Sequence, residues 1–171
     1  MKSIRQFLIA GACLLLAACG FHLANSTQAP PVFKTLKLES NDPNGDFSKL
    51  VRSNLKLQGV NINPKAPITL KLELPSATYS QATSGSSQIS RDYTVVQNAS
   101  FTFINSKTHK TIDSREFSVS QSLTLYAGQI INNTSQLQST ISVLRRSVLN
   151  QFFFYLESSD LVKAAKASLK R

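Results

Sequence analysis

Apolar residues follow three different spacings along this chain. From Phe7 to Ala18 they run on with only Gly11 between them. At residues 68–74 they alternate with polar ones, Ile68, Leu70, Leu72 and Leu74 against Thr69, Lys71 and Glu73, the period of a half-buried strand. Tyr93, Val95, Ala99, Phe101 and Phe103 share one parity, interrupted by Gln97, and Phe117, Val119, Leu123 and Leu125 share another. Asn105-Ser106-Lys107-Thr108 lies between these two runs and predicts the turn of a long hairpin. The other parity of the hairpin is polar, with Thr94, Asn98, Ser100 and Thr102 opposite Ser114, Glu116, Ser118 and Ser120. One face therefore packs, and the other meets water or a polar partner.

Two segments carry the helical spacing. Phe47, Leu50, Val51 and Leu55 predict a helix over Asp46–Leu57 that stops at Gly59. Asn41-Asp42-Pro43-Asn44-Gly45 forms its entry turn. Lys49, Arg52 and Lys56 fall on its opposite side as a cationic row. Leu137, Ile141, Leu144, Val148, Phe152 and Tyr155 predict a longer helix, with N-cap candidates in Asn132-Asn133-Thr134. A first strand is expected over residues 33–39. Residues 76–90, rich in Ser, Thr, Gln and Gly, read either as a loop or as a polar strand extension. Residues 158–171 read as a basic tail that frays.

The start of the chain changes this picture. A basic head (Lys2, Arg5) precedes the apolar run, and Leu16-Ala17-Ala18-Cys19 ends it. This is the layout of a secretory signal peptide, too short for an ordinary transmembrane helix of ~20 residues. The four-residue motif resembles a bacterial lipobox. That likeness implies removal of residues 1–18 by cleavage between Ala18 and Cys19, a diacylglyceryl group on the Cys19 sulfur and an acyl group on its new amine. No cofactor other than this covalent lipid is expected. Residues 19–32, ending in Pro30-Pro31, read as a tether, and residues 33–157 as a single domain. Gly20 after the cysteine resembles lipoproteins sent on to the outer membrane.

Removal of residues 1–18 leaves 153 of the 171 residues, enough for one domain with a sizeable core. Cys13 departs with the signal and Cys19 is lipidated, so no disulfide is expected. The remaining chain holds 17 basic and 9 acidic residues, a balance of +8 that suits phosphate-bearing lipid better than nucleic acid in an exported protein. His22 and His109 share no metal-ligand spacing, and the chain has no Gly-x-Ser-x-Gly elbow and no glycine-rich phosphate loop. The expectation is a protein without catalysis. Phe152, Phe153 and Phe154 point in different directions on a helix, each residue turning ~100°. Phe153 and Phe154 therefore either dock a partner or lie beneath the tether or the tail.

Residues 19–60 resemble the LptE family of lipopolysaccharide-assembly lipoproteins. The likeness rests on Cys19-Gly20-Phe21-His22-Leu23, on Thr27-Gln28-x-Pro30, on Asp42-Pro43-Asn44-Gly45 and on Leu50-Val51-Arg52-x-x-Leu55-x-Leu57-x-Gly59-Val60. Beyond residue 66 it lies in element order and Tyr93. The resemblance implies a two-layer α/β sandwich of order β-α-β-β-β-α, with two helices on a four-stranded mixed or mostly antiparallel sheet. It also implies an outer-membrane lipoprotein that sits in the lumen of the barrel LptD, facing the periplasm. There such proteins plug the barrel, help it assemble and bind lipopolysaccharide. Cations expected between the second and third strands and before the second helix are replaced by Ser84-Gly85-Ser86-Ser87 and Asn132-Asn133. Arg91 and the row Lys49, Arg52, Lys56 are then the candidate lipopolysaccharide contacts. The competing reading is a pilotin-like lipoprotein that escorts another outer-membrane pore. Mass spectrometry of the mature N-terminus is expected to find Cys19 first and triacylated, with Cys19→Ser left uncleaved. A mature chain that starts elsewhere, or carries no acyl mass, overturns the anchor.

Overall fold

The computed structural model describes residues 28–81, 90–126 and 135–170. Ala18, Cys19, the first part of the tether, Ser84-Gly85-Ser86-Ser87 and Asn132-Asn133 lie outside the described residues. A 3-10 turn at Pro31–Phe33 leads into β1 (Thr35–Ser40), α1 (Asp46–Leu57), β2 (Asn61–Ile62), β3 (Ile68–Glu73), β4 (Thr78–Gln81), β5 (Ser90–Asn105) and β6 (Thr111–Tyr126). Helices α2 (Ser135–Leu156) and α3 (Ser159–Leu169) follow.

The sheet is mixed. β1 pairs in parallel with β2 and β3, β3 and β4 pair antiparallel with β5, and β6 covers the other edge of β5. Six strands replace the expected four for two reasons. A two-residue β2 adds itself outside β1. The second predicted strand breaks in two at Leu74-Pro75-Ser76-Ala77, because Pro75 has no N–H to give to the ladder. Glu73 pairs with Ser100 and Thr78 with Val96, so four residues oppose three and the break acts as a bulge. Gln97, whose side chain is fully buried, donates its Nε2 to the Pro75 carbonyl at 2.9 Å. The residue that interrupts the apolar parity of β5 thus binds the broken strand. Of the two readings for residues 76–90, the polar extension holds through Gln81.

All three helices lie on one face. Phe33, Leu36, Val51, Leu55, Ile68, Leu70, Leu72, Phe101, Phe103, Phe152 and Leu156 form the main core. Val95, Leu123, Leu125, Leu137 and Leu144 form a smaller one under the first half of α2. α1 ends in a Schellman motif: Gly59 N–H donates to the Lys56 carbonyl at 3.0 Å, and Val60 N–H to the Leu55 carbonyl at 2.9 Å. Gly59 has φ +78°, the left-handed conformation this motif needs.

Residues 158–170 do not fray. They form α3, whose Leu161 and Ala165 enter the main core, so a third helix joins the expected two. The end of the tether is also part of the fold. Ala29 is buried and gives its N–H to the Gln58 carbonyl at 3.0 Å, and Val32 packs on the core. Asn105 secures α3 from the hairpin turn. Its Nδ2 donates to the Ser168 carbonyl at 2.9 Å and to Ser168 Oγ at 3.0 Å. Its Oδ1 accepts from the N–H groups of Lys107 and Thr108 at 3.0 and 3.2 Å. Asn105→Ala removes partners from both a turn and a helix end, at an expected cost of about 2 kcal/mol. Calorimetry is expected to find a melting temperature several degrees lower, and an unchanged value contradicts the docking of α3 through Asn105.

Candidate interaction faces

The outer face of the sheet carries no helix among the described residues. It presents Thr94, Val96, Asn98, Ser100 and Thr102 of β5 beside Ser122, Ser120, Ser118, Glu116 and Ser114 of β6, partners in register. Thr102 Oγ1 and Ser114 Oγ share a hydrogen bond of 2.8 Å across the two strands. On β1 and β3 the same face bears two charge pairs, Lys37 with Glu39 at 2.6 Å and Lys71 with Glu73 at 2.7 Å. The Glu73 hydrogen bond and charge, helped by Glu39, raise the Lys71 pKa and keep it a cation. This is a hydroxyl-rich, hydrogen-bonding surface at the pleat spacing. β5 runs ten residues beyond Ser100, where β3 ends, so the hairpin forms an arm about 30 Å long.

The cationic candidates do not converge. Lys49 and Lys56 are exposed on α1 and Arg52 is half-buried, as the helical spacing predicts. Arg91 is exposed on the far part of the arm opposite Leu125, nine residues from Ser100. None of the four forms an ion pair among the described residues. None lines any of three clefts of about 370, 340 and 410 Å³. The first cleft lies at the entry of α1, lined by Asp42, Asp46, Ser48 and Arg145. The second joins Lys65, Lys107 and His109 at the hairpin turn, and the third separates that turn from α3. Among the described residues no three His, Cys, Asp or Glu side chains gather as a metal site, and no helix is long and apolar enough to cross a membrane.

The two phenylalanines part company. Phe153 packs against the main core, its ring 5.2 Å from that of Phe152. Phe154 is 78% exposed, and Val143, three turns earlier on the same side of α2, is 50% exposed. Among the described residues neither 28–32 nor α3 covers Phe154, so of the expected pair this is the residue left exposed to meet a partner.

A polar cluster that periodicity did not flag lies at the other side of α2. The Tyr155 hydroxyl donates to Asp113 Oδ2 at 2.6 Å, and the Arg115 guanidinium stands 4.8 Å over the Tyr155 ring. Tyr155 was legible as a core position of the helical repeat. Its partners were not, because Asp113 and Arg115 occupy the packed parity of β6 only at the edge of the sheet. Burial, and then the bond to Asp113, raise the Tyr155 pKa far above the ordinary tyrosine value.

Comparison with known proteins comes down to a partial sequence match and a shared fold. No family model matches the chain. It is 47% identical over 51 residues to the LPS-assembly lipoprotein LptE of Pectobacterium atrosepticum, 30% of this chain and 28% of that protein. It is 42% identical over 59 residues to LptE of Yersinia enterocolitica, 34% of this chain and 28% of that protein. Over this stretch the chain resembles LptE. The matched stretch spans less than a third of these relatives' own length. In fold the chain resembles the solution structure of uncharacterized lipoprotein B from Nitrosomonas europaea, with a TM-score of 0.55 at 9% identity, over 75% of this chain and 83% of the other.

The Tyr155–Asp113 bond generates a pH prediction. The folded state holds the phenolic proton more tightly than the unfolded chain. Its contribution is therefore complete below about pH 10 and is lost as the pH rises beyond it. Tyr155→Phe is expected to be about 1 kcal/mol less stable than the parent at pH 7. The gap should close above pH 10 in denaturant titrations. A gap that stays constant through pH 11 rules out the retained proton.

Proposed function

We infer that this protein is a non-enzymatic outer-membrane lipoprotein of lipopolysaccharide assembly. It is anchored through Cys19 and held inside the lumen of an outer-membrane barrel of the LptD type, facing the periplasm. The observation that carries this reading is the open polar sheet face on a chain that shares 47% identity with LptE over 51 residues. A two-layer fold leaves one sheet face to water or to a polar partner. A barrel lumen is a polar wall, and a Ser/Thr-rich pleated surface offers it hydrogen-bond donors and acceptors at regular spacing. Phe154 and Val143 add an apolar contact on the helix side. Apolar contacts anchor interfaces that are otherwise polar. Lys49, Arg52, Lys56 and Arg91, which form no ion pair among the described residues, are cations available to the phosphates of lipopolysaccharide, an attraction that weakens as salt screens it.

Affinity purification of the full-length acylated protein from detergent-solubilised outer membranes tests the reading. An LptD-type barrel is expected to co-purify. Phe154→Ser should reduce that recovery severalfold while leaving the melting temperature within about 1 °C, since an exposed side chain contributes little to folding. Recovery of a different pore supports a pilotin-like escort instead, and recovery of no barrel at all overturns the lumen placement.

A further inference from the structure

β6 lies at the border of the sheet. Among the described residues it pairs with β5 alone, in a register that holds without a slip from Ser90 opposite Tyr126 to Phe103 opposite Asp113. The ladder fixes which backbone groups face the other, open edge. Along an antiparallel pair, successive residues turn their N–H and C=O groups to opposite sides. Asn105 N–H donates to the Lys110 carbonyl across the hairpin, whereas Ser106 N–H donates to the Pro67 carbonyl on the side of β3. The Asn98 carbonyl points to that same side, where it accepts from Gln97 Nε2 at 2.8 Å beside the break at Pro75. Odd-numbered residues of β5 thus face β6 and pair with its odd-numbered residues. The even-numbered residues of β6 turn their backbone groups outward. Two short contacts between even partners agree, Thr102 with Ser114 at 2.8 Å and Thr124 with Asp92 at 2.6 Å. Side chains approach most closely at the pairs that do not exchange backbone bonds.

Strands at a sheet border are blunted by charge, proline, a bulge or a cover. β6 has such protection only at its start. There the register slips opposite Phe103 and Ile104, Asp113, Arg115 and Glu116 bring charge, and Ser114 N–H donates to Asp113 Oδ1 at 2.8 Å. From Phe117 to Leu125 the strand has no charge, no proline, no glycine and no slip. The outward groups of Ser118, Ser120, Ser122 and Thr124 stand about 7 Å apart along it, and no described backbone group meets them. On the helix side, Phe117 and Val119 pack on the main core yet stay half-buried at this border. The cleft of about 410 Å³ lies along the same strand, where Thr111 and Ile112 line it together with Ala164 and Ala167 of α3. One more strand would meet all three features: its backbone would pair with the outward groups, and alternate apolar side chains would cover Phe117 and Val119 and enter the cleft.

We propose that the outer edge of β6 takes an added β-strand, supplied by an extended segment of the partner barrel's chain that lies outside the barrel wall. The proposal rests on the lumen reading and names a mode of contact within it. The wall itself has no strand to give, because a closed barrel has no free edge. A second copy of this chain fits the lumen reading poorly, since two domains joined at β6 double the breadth that one lumen must hold. The edge is continuous with the polar sheet face: the same even-numbered residues that turn their backbone outward carry its serines and threonines. A barrel chain that meets this face therefore passes the edge as well. The segment carries polar side chains beside Ser118, Ser120 and Ser122 and apolar ones beside Phe117 and Val119, where a charge would be desolvated without a partner. Main-chain hydrogen bonds supply the strength of such a contact, and the alternation of side chains supplies its register.

The test uses the full acylated protein, alone in detergent and co-purified with an LptD-type barrel. Backbone hydrogen exchange is read residue by residue by mass spectrometry. In the protein alone, the amides of Val119, Gln121 and Leu123, which face β5, are expected to exchange slowly, and those of Ser118, Ser120 and Ser122 quickly. In the complex the second set should slow by about tenfold or more. Ser120→Pro removes one outward N–H and no bond to β5, so it is tolerated at an edge. It is expected to leave the melting temperature within about 2 °C and to lower barrel recovery severalfold. Ser120→Ala keeps that N–H and removes only the hydroxyl of the sheet face, and should recover the barrel in full. If the proline variant melts far lower, the exchange pattern decides. A barrel that co-purifies while the second set still exchanges quickly overturns strand addition and leaves the lumen reading standing. So does a loss with Ser120→Ala as large as with Ser120→Pro, which assigns the contact to the face. Slow exchange of both sets in the protein alone, or a dimer in light scattering that Ser120→Pro dissolves, gives the edge to this chain itself and also overturns the proposal. Recovery of no barrel defeats the lumen reading, and the proposal with it.

Discussion

Phe152 lies flat on Phe101, with ring centroids 4.1 Å apart and planes 14° from parallel, and it also stacks over Phe103 at 6.3 Å. This contact joins α2 to the strand that pairs with β3, β4 and β6, and the arrangement of the rest depends on it. Phe47 from α1 meets Phe101 edge-on at 6.5 Å, and Phe33 from the entry turn meets Phe103 at 5.2 Å. Three separate stretches of chain thus converge on two neighbouring rings of β5. Truncating a wholly buried phenylalanine at such a point costs about 3–5 kcal/mol, a large share of the stability of a domain this size.

Because the core gathers all three described helices on one side, the other side of the sheet carries no helix among the described residues. The asymmetry is the physical link between core and function. A sheet with helices on both faces would have nothing to offer a polar wall. The hairpin arm extends the same division of faces beyond the main core, with Val95, Leu123 and Leu125 held under α2 and serines and threonines turned outward. The arm is stable because α2 lies along it, so one long helix supports both the compact body and the projecting surface.

Buried polar groups set details that apolar packing leaves open. Gln97 holds the break between β3 and β4, and Asn105 joins the hairpin turn to the end of α3. Ser48 donates to the Asp42 carbonyl at 2.6 Å and shares a hydrogen bond with Ser40 Oγ at 2.8 Å, closing the turn into α1. Each satisfies backbone groups that would otherwise be buried unpaired, which is costly in a low-dielectric interior. The lysines, by contrast, are kept at the surface, most of them towards the end where the chain enters. Their sorting follows from where the strands begin and from the direction in which α1 and α3 run.

Local patterns in the sequence were enough for much of this. The helix over Asp46–Leu57, the alternation of residues 68–74, the two faces of the hairpin and the long helical repeat were all legible, because each depends on residues only two to four positions apart. So was the likeness to LptE. Strand counting failed at Pro75, where a single residue splits a ladder, and the tail failed at Leu161 and Ala165, two apolar side chains too few to signal burial by themselves. Only the tertiary structure separated Phe153 from Phe154, since adjacent residues on a helix differ in fate by what lies across from them. Only it left β6, among the described residues, with a neighbour on one edge alone. Periodicity records which face of an element is apolar; it does not record which elements meet, and both the exposed phenylalanine and the open edge are consequences of that meeting.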